Sequence, residues 1–274
     1  QARFEGETAG RNIRTDPPVP LAEPTLSALD QLPDIALDRL NRRRSLLEQF
    51  DQQATRTKSA LANSSFGGFQ RQAFDLLTSG KTRTAFDLSK EPAHHRERYG
   101  RDLFGSCMLT ARRLVEAGVK FVGVTTESSF DGGVGAGQWD THSNNFRLLK
   151  NFNLPTLDRN YSALIEDLEE RGLLDSTLVV LMGEMGRTPK VKKGSGGRDH
   201  WTQCGFILLS GGGVKRGTVY GESDKQAAWP ISGPVSSADH VATIYQLLGI
   251  DPHLMLQDAL GRPIAAALHG QPVW

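Results

Sequence analysis

The sequence predicts an α/β protein, a mostly parallel sheet flanked by helices, with a helical region on its N-terminal side. Three observations predict it. Continuous apolar, β-branched runs occur at Val119–Thr125, Ser176–Met182 and Gly205–Ser210, the pattern of strands covered on both faces. Amphipathic helical segments alternate with these runs, as crossover connections require. Polar, glycine-containing clusters flank the runs, and in open α/β sheets ligands bind where such loops diverge.

Taken in order, residues 1–33 hold Pro17, Pro18, Pro20, Pro24 and Pro33 in a polar context and read as an extended arm or linker. Residues 34–118 read as a helical region. Ile35, Leu37, Leu40, Leu46, Leu47 and Phe50 punctuate a charged helix reaching about Leu61, and its Arg42-Arg43-Arg44 run is read as a solvated face. Further helices are expected at Gln70–Thr78 and Leu103–Ala117, the last stopped by Gly118. Residues 119–274 carry the α/β pattern. After the Val119–Thr125 run come a glycine-rich loop at Asp131–Gly137 and the segment Trp139-Asp140-Thr141-His142. Pro155 suits a first helical turn, and Leu157, Tyr161, Leu164, Ile165 and Leu168 recur on one face until Gly172. The apolar runs at Ser176–Met182 and Gly205–Ser210 follow. A last helix, capped by Ser237, places Val241, Ile244, Tyr245 and Leu248 on one face and ends at Gly249.

Bulk composition narrows the function classes. With 32 basic and 31 acidic residues the formal charge is +1, which gives no global argument for nucleic acid. No apolar run is long enough to span a bilayer. Cys107 and Cys204 form no metal-binding pattern, and Cys204, at the start of an apolar strand, reads as a buried thiol. The chain opens at Gln1 without a signal peptide's basic and apolar regions, so a processed chain or a fragment is expected.

Three clusters carry candidate chemistry. They are Asp140-Thr141-His142, the stretch Gly183–Pro189 containing Glu184 and Arg187, and Gly197–Trp201 containing Arg198, Asp199 and His200. Carboxylate oxygen and imidazole nitrogen suit zinc or manganese better than calcium. Asp140, His142, Glu184 and His200 are therefore expected as metal ligands. Asp199 is a further ligand or a carboxylate orienting a histidine. Arg187 and Arg198 supply planar cationic forks for a tetrahedral oxyanion, phosphate or sulfate, in catalysis. Against this stand bland readings: a turn at Asp140-Thr141-His142, a Glu184–Arg187 ion pair and a core histidine at 200.

The segment LIEDLEERGLLDSTLVVLMGEMG at Leu164–Gly186 resembles the helix–strand–loop unit of sulfatases, phosphodiesterases and other alkaline phosphatase superfamily members. There the strand ends in a metal-binding Asp-His pair; here Glu184 and Met185 stand in those places. The stretch Gly205–Gly249 resembles the superfamily's following strand and helix. Over nearly the whole chain, ERYG, ARRLVEAGVKFV, WDTHSNNF, MGEMGRTPKV, GRDHW and GRPI resemble the bacterial domain-of-unknown-function family fifteen-oh-one. That family is abundant in planctomycetes and commonly preceded by a twin-arginine export signal. The resemblance implies an alkaline-phosphatase-like fold and a periplasmic or extracellular location. It also implies that Asp140 and His142 hold one ion (although the superfamily spacing is usually longer), that Glu184 stands at a second, and that His200 is a late ligand. The nucleophile would come from an N-terminal half of the same protein. Two functions follow: a metal-dependent hydrolase of a phosphate- or sulfate-ester small molecule or glycan, or a non-catalytic cell-surface binding or assembly module on the same fold.

Overall fold

The computed structural model describes residues 84–125, 139–258 and 260–273. The proline-rich arm, the helices expected at 34–61 and 70–78 and the glycine-rich loop at 131–137 lie outside the described residues. The chain divides into two compact units, which part between Thr125 and Thr126.

In the first unit a short 3₁₀ turn, Leu88–Lys90, leads to α1 (Ala93–Tyr99) and α2 (Leu103–Glu116). Asp102 caps α2, its carboxylate accepting the backbone N–H of Gly105 at 2.9 Å. Gly105 is required here, because a Cβ would collide with the carbonyls of Tyr99 and Gly100 where the helices meet. Leu88, Tyr99, Met108 and Leu109 are buried between these elements. So is a charge network. Arg112, 1% exposed, places Nη2 2.5 Å from Oε1 of buried Glu91, and Arg113 pairs with the other oxygen of that carboxylate. Arg113 also donates to the carbonyls of Thr84 and Ala85, at 2.7 and 2.8 Å. Two arginines on one carboxylate hold Glu91 ionised against its desolvation and fix α2 to the segment before it.

No strand forms at Val119–Thr125. The run is apolar and β-branched, but Phe121 is 89% exposed. Composition alone does not make a strand without a partner to take its backbone hydrogen bonds.

The second unit begins with one continuous helical stretch. α3 (Asn145–Leu148) passes through a π turn at Leu149–Asn153 into α4 (Leu154–Glu170). Pro155 lacks the N–H that an α-helix would offer to the Asn151 carbonyl, which is why the winding loosens just ahead of it. Ala163, Leu164 and Leu168 form the buried stripe of α4. Gly172 (φ 66°) ends it, and a 3₁₀ turn at Leu174–Ser176 feeds β1 (Val179–Met182).

The remaining strands are β2 (Gly186–Arg187), β3 (His200–Trp201), β4 (Ile207–Ser210), β5 (Glu222–Ser223), β6 (Pro230–Ser232), β7 (Met255–Gln257) and β8 (Pro263–Ala265). The apolar runs at 176–182 and 205–210 thus contain β1 and β4, but these pair with each other antiparallel, Val179 opposite Ser210 and Met182 opposite Ile207. All four ladders among the described residues are two-stranded and antiparallel, and no parallel pair occurs among them. The expectation of parallel pairing came from continuous apolarity. That pattern reports burial preference and carries no information on the neighbour's direction. Met182, Ile207 and Leu208 are in fact exposed.

α4 is joined to the end of β4 by Tyr161, whose hydroxyl lies 2.9 Å from Ser210 Oγ. α5 (Ser237–Leu247) is capped by Ser236 rather than Ser237: Ser236 Oγ accepts from Asp239 N while Asp239 returns a carboxylate to Ser236 N. Its buried residues are His240, Ala242 and Thr243, whereas Leu248 is exposed. The C-terminal segment is tied to it by Gln271 N on Asp239 Oδ1 and Val273 N on Thr243 Oγ1.

Candidate metal centre

The centre is built on the β2–β3 hairpin and the segment Trp139–Asn145. In the hairpin Arg187 stands directly opposite His200 and Gly186 opposite Trp201, so Arg187 and His200 project from one face. Thr188 continues the pairing, its N–H donating to the Asp199 carbonyl at 2.8 Å while its hydroxyl accepts from Asp199 N at 3.1 Å. Trp201 fixes the base. Its indole N–H donates to the Ala228 carbonyl at 2.7 Å, and its ring meets Trp229 edge-on.

The loop Thr188–Asp199 returns along the 139–145 segment and is attached to it through the main chain. Asn144 N donates to Ser195 O at 2.8 Å, Asn145 N to Gly196 O at 3.1 Å, and Arg198 N to Thr141 O at 3.2 Å. Gly197 permits this approach, since a Cβ there would overlap the His142 carbonyl. Thr141 and Asn145, both buried, brace the segment from inside by a side-chain hydrogen bond.

Backbone attachment brings three side chains together. Asp140, His142 and His200 each present one ligand atom, all within 4.8 Å of one another. Nε2 of His200 lies 2.9 Å and Nε2 of His142 3.1 Å from the same oxygen, Asp140 Oδ1. The two rings are 4.9 Å apart. Behind His142, its Nδ1 lies 2.8 Å from Asp199 Oδ1. A neutral His142 that donates Nδ1–H to Asp199 turns the Nε2 lone pair on the Asp140 carboxylate. Arg187, 2.5 Å from the same Asp140 oxygen, supplies positive charge there, and a metal ion between the two imidazoles and the carboxylate would add more. One carboxylate oxygen and two imidazole nitrogens are a donor set that zinc accepts, and all three residues are exposed, which leaves room for a further ligand from solution.

The family model described as "Protein of unknown function (DUF1501)" matches residues 7–273. This chain belongs to the DUF1501 family. No curated protein and no solved structure matches it. The segments WDTHSNNF and GRDHW of this DUF1501 member are the two that supply the converging ligands.

The other expected site residues take different places. Asp199 is the carboxylate that orients His142, and it lies outside the converging group. Glu184, exposed on the turn after β1, is also outside that group and pairs with no described residue, Arg187 included. Arg187 instead donates through Nη2 to Asp140 Oδ1 at 2.5 Å and to the Trp139 carbonyl at 3.2 Å. His200 and Arg187 together hold the Asp140 carboxyl below the usual carboxylate range. Arg198 donates Nε to the Thr188 carbonyl at 2.5 Å and Nη2 to that of Arg187 at 3.0 Å, and so ties the hairpin loop together.

Lys192 of this DUF1501 chain was not foreseen as a site residue. Its ammonium lies 2.5 Å from Asp199 Oδ1, and with His142 it keeps that carboxyl below the usual range. The only sequence signal was its place in a glycine- and lysine-rich connection. Cys107 and Cys204 are both free thiols. No helix among the described residues is long and apolar enough to cross a membrane.

Proposed function

We propose that this DUF1501 protein is part of a metal-dependent hydrolase of phosphate or sulfate esters, with one divalent ion held by Asp140, His142 and His200. The observation that carries the reading is the meeting of two imidazole Nε2 atoms at one Asp140 oxygen, with Asp199 already on the far nitrogen of His142. Zinc or manganese suits this mixed nitrogen and oxygen set. When bound, such an ion supplies Lewis-acid polarisation and charge neutralisation at an ester's oxygens.

The chain's own groups divide the remaining work. Asp199 accepts a hydrogen bond from the Nδ1–H of His142 and fixes the ring's orientation. Arg187, whose guanidinium meets Asp140 and the Trp139 and Arg198 carbonyls, would turn an N–H to a non-bridging oxygen as negative charge develops. Arg198 shapes the loop through main-chain carbonyls, and its oxyanion role belongs to this proposal alone. The likeness to alkaline phosphatase relatives supports an alkaline-phosphatase-like fold for the whole protein. It also supports a nucleophile from a segment N-terminal to these loops, and a periplasmic or extracellular location.

Elemental analysis of the full-length protein, with turnover of nitrophenyl phosphate and sulfate, tests the reading. One ion per chain is expected, lost together with turnover in His142→Ala and His200→Ala. Absence of bound metal, with ester turnover indifferent to both substitutions, sinks it.

A second reading has its own support. Met185 replaces the histidine of the superfamily pair, and Glu184 stands apart from the converging ligands. A centre with a single ion, used for binding or assembly at the cell surface, fits those two residues. Stoichiometric metal without turnover of any ester in the panel would favour it.

A further inference from the structure

We infer that the loop Thr188–Asp199 is a polyanion-binding arm, and that the substrate is a glycan carrying several sulfate or phosphate groups along one chain. The inference rests on the proposed metal centre for the reacting ester, while the arm itself is argued from charge and placement.

Basic charge is concentrated here. A chain of formal charge +1 overall places Lys190, Lys192, Lys193 and Arg198 against the single acid Asp199 within this loop. Lys192 and Arg198 already have partners at the centre. Lys190 and Lys193 are exposed, and neither ammonium meets a carboxylate among the described residues. They are available to an anion from solution.

The loop is also held in place. Main-chain bonds join residues 195, 196 and 198 to the segment that carries Asp140 and His142. Lys192 N donates to Gly197 O, and Gly196 N to Lys192 O, which closes the loop on itself. Lys190 and Lys193 are therefore carried on the same framework as the ligands, so the loop backbone needs little ordering on binding and the remaining cost is that of the two lysine side chains.

Chemistry selects the partner. A small monoester has one anionic group, which the centre itself accommodates, so two additional ammonium groups call for additional anions on the same molecule. Lysines are point charges on flexible stems and suit charges distributed along a polymer, whereas paired arginine forks suit a single planar or tetrahedral anion. Lys190 and Lys193 are three positions apart, so their Cα atoms lie at most about 11 Å from one another, the scale of a disaccharide repeat. The loop contains no aromatic residue on which a base could stack, which disfavours single-stranded nucleic acid.

The test uses the full chain and its Lys190→Gln/Lys193→Gln variant. Binding to dextran sulfate, polyphosphate, uncharged dextran and oligo-dT is measured across a salt series, with zinc and with EDTA. Dextran sulfate should bind and uncharged dextran should not, while polyphosphate serves as the sugar-free polyanion against which the glycan is compared. The double variant should bind about ten- to thirtyfold more weakly at low salt. Its log–log salt slope should be shallower by about 1.5. Its metal content and melting curve should match those of the parent. Unchanged affinity and salt slope in the variant overturn the proposal, as does tighter binding of oligo-dT than of either anionic polymer. Lysine-dependent polyanion binding in a protein that takes up no metal would keep the arm and remove the hydrolase reading; metal and turnover without lysine dependence would do the reverse.

Discussion

Asp199 Oδ1 lies 2.8 Å from Nδ1 of His142, whose other nitrogen faces Asp140 at 3.1 Å. This relationship makes Asp199 a positioning group with a measurable effect. Asp199→Ala should weaken zinc binding about ten- to a hundredfold by calorimetry, the usual consequence of removing an outer carboxylate. Asp199→Asn keeps an acceptor for the ring N–H but loses the charge that meets Lys192, so a smaller loss is expected. Parental affinity in the alanine variant would show that His142 needs no support.

Gly197 should tolerate no side chain. A Cβ at this position overlaps the His142 carbonyl, so Gly197→Ala must separate the two ligand-bearing segments. Zinc affinity should fall by at least tenfold, with a smaller change in melting temperature because the loop is on the surface. By contrast Gly194→Ala, where a Cβ meets nothing within 4 Å, should strain only its left-handed backbone (φ 84°) and leave zinc affinity near that of the parent.

The buried Glu91–Arg112 pair gives a stability prediction away from the centre. Glu91→Ala takes from the guanidinium of Arg112, 1% exposed, one of the carboxylates it pairs with, Glu116 being another. A loss of about 3 kcal/mol in urea denaturation is expected. The double variant Glu91→Leu/Arg112→Met should regain only part of it, because the buried Arg112 charge is gone but Arg113 still loses its Glu91 carboxylate. A single variant as stable as the parent would mean that solvent reaches Arg112.

Asp239 predicts a pH dependence with a definite sign. Its carboxyl is held below the usual range, first by the Ser236 hydroxyl and then by backbone N–H groups of Gln271 and Ser236. A carboxyl lowered in the folded state stabilises fully above its unfolded value and stops doing so as pH falls through the folded value. Melting temperatures of the parent and Asp239→Asn should therefore differ at neutral pH and converge in acid. A gap constant with pH would exclude the carboxylate as its source.

Periodicity and end signals made the long helices legible: α2, α4 and α5 form where their apolar stripes and glycine stops place them, with a shift of one residue at the Ser236 cap. The strand cores at 179–182 and 207–210 were legible from composition. Their antiparallel pairing was not, because it depends on a partner far along the chain. For the centre, residue type identified Asp140, His142 and His200, since few side chains offer those donor atoms. Roles that depend on direction stayed hidden. Glu184 and Asp199 looked alike as carboxylates near strand ends. Only the main-chain bonds between two loops turn Asp199 toward His142. Arg198 resembled an anion fork until Thr188 and Arg187 carbonyls took its N–H groups.

Three of the four tryptophans adjoin this machinery: Trp139 precedes Asp140, Trp201 follows His200, and Trp229 abuts Trp201. The molecule thus carries its own optical reporter. Cation uptake that reorients His200 must disturb the indole next to it, so emission intensity or wavelength becomes a titration signal that needs neither substrate nor label. Trp201→Phe would remove that indole's share of the signal, leaving Trp139 and Trp229, and would take away the hydrogen bond from β3 to the Ala228 carbonyl in the same stroke.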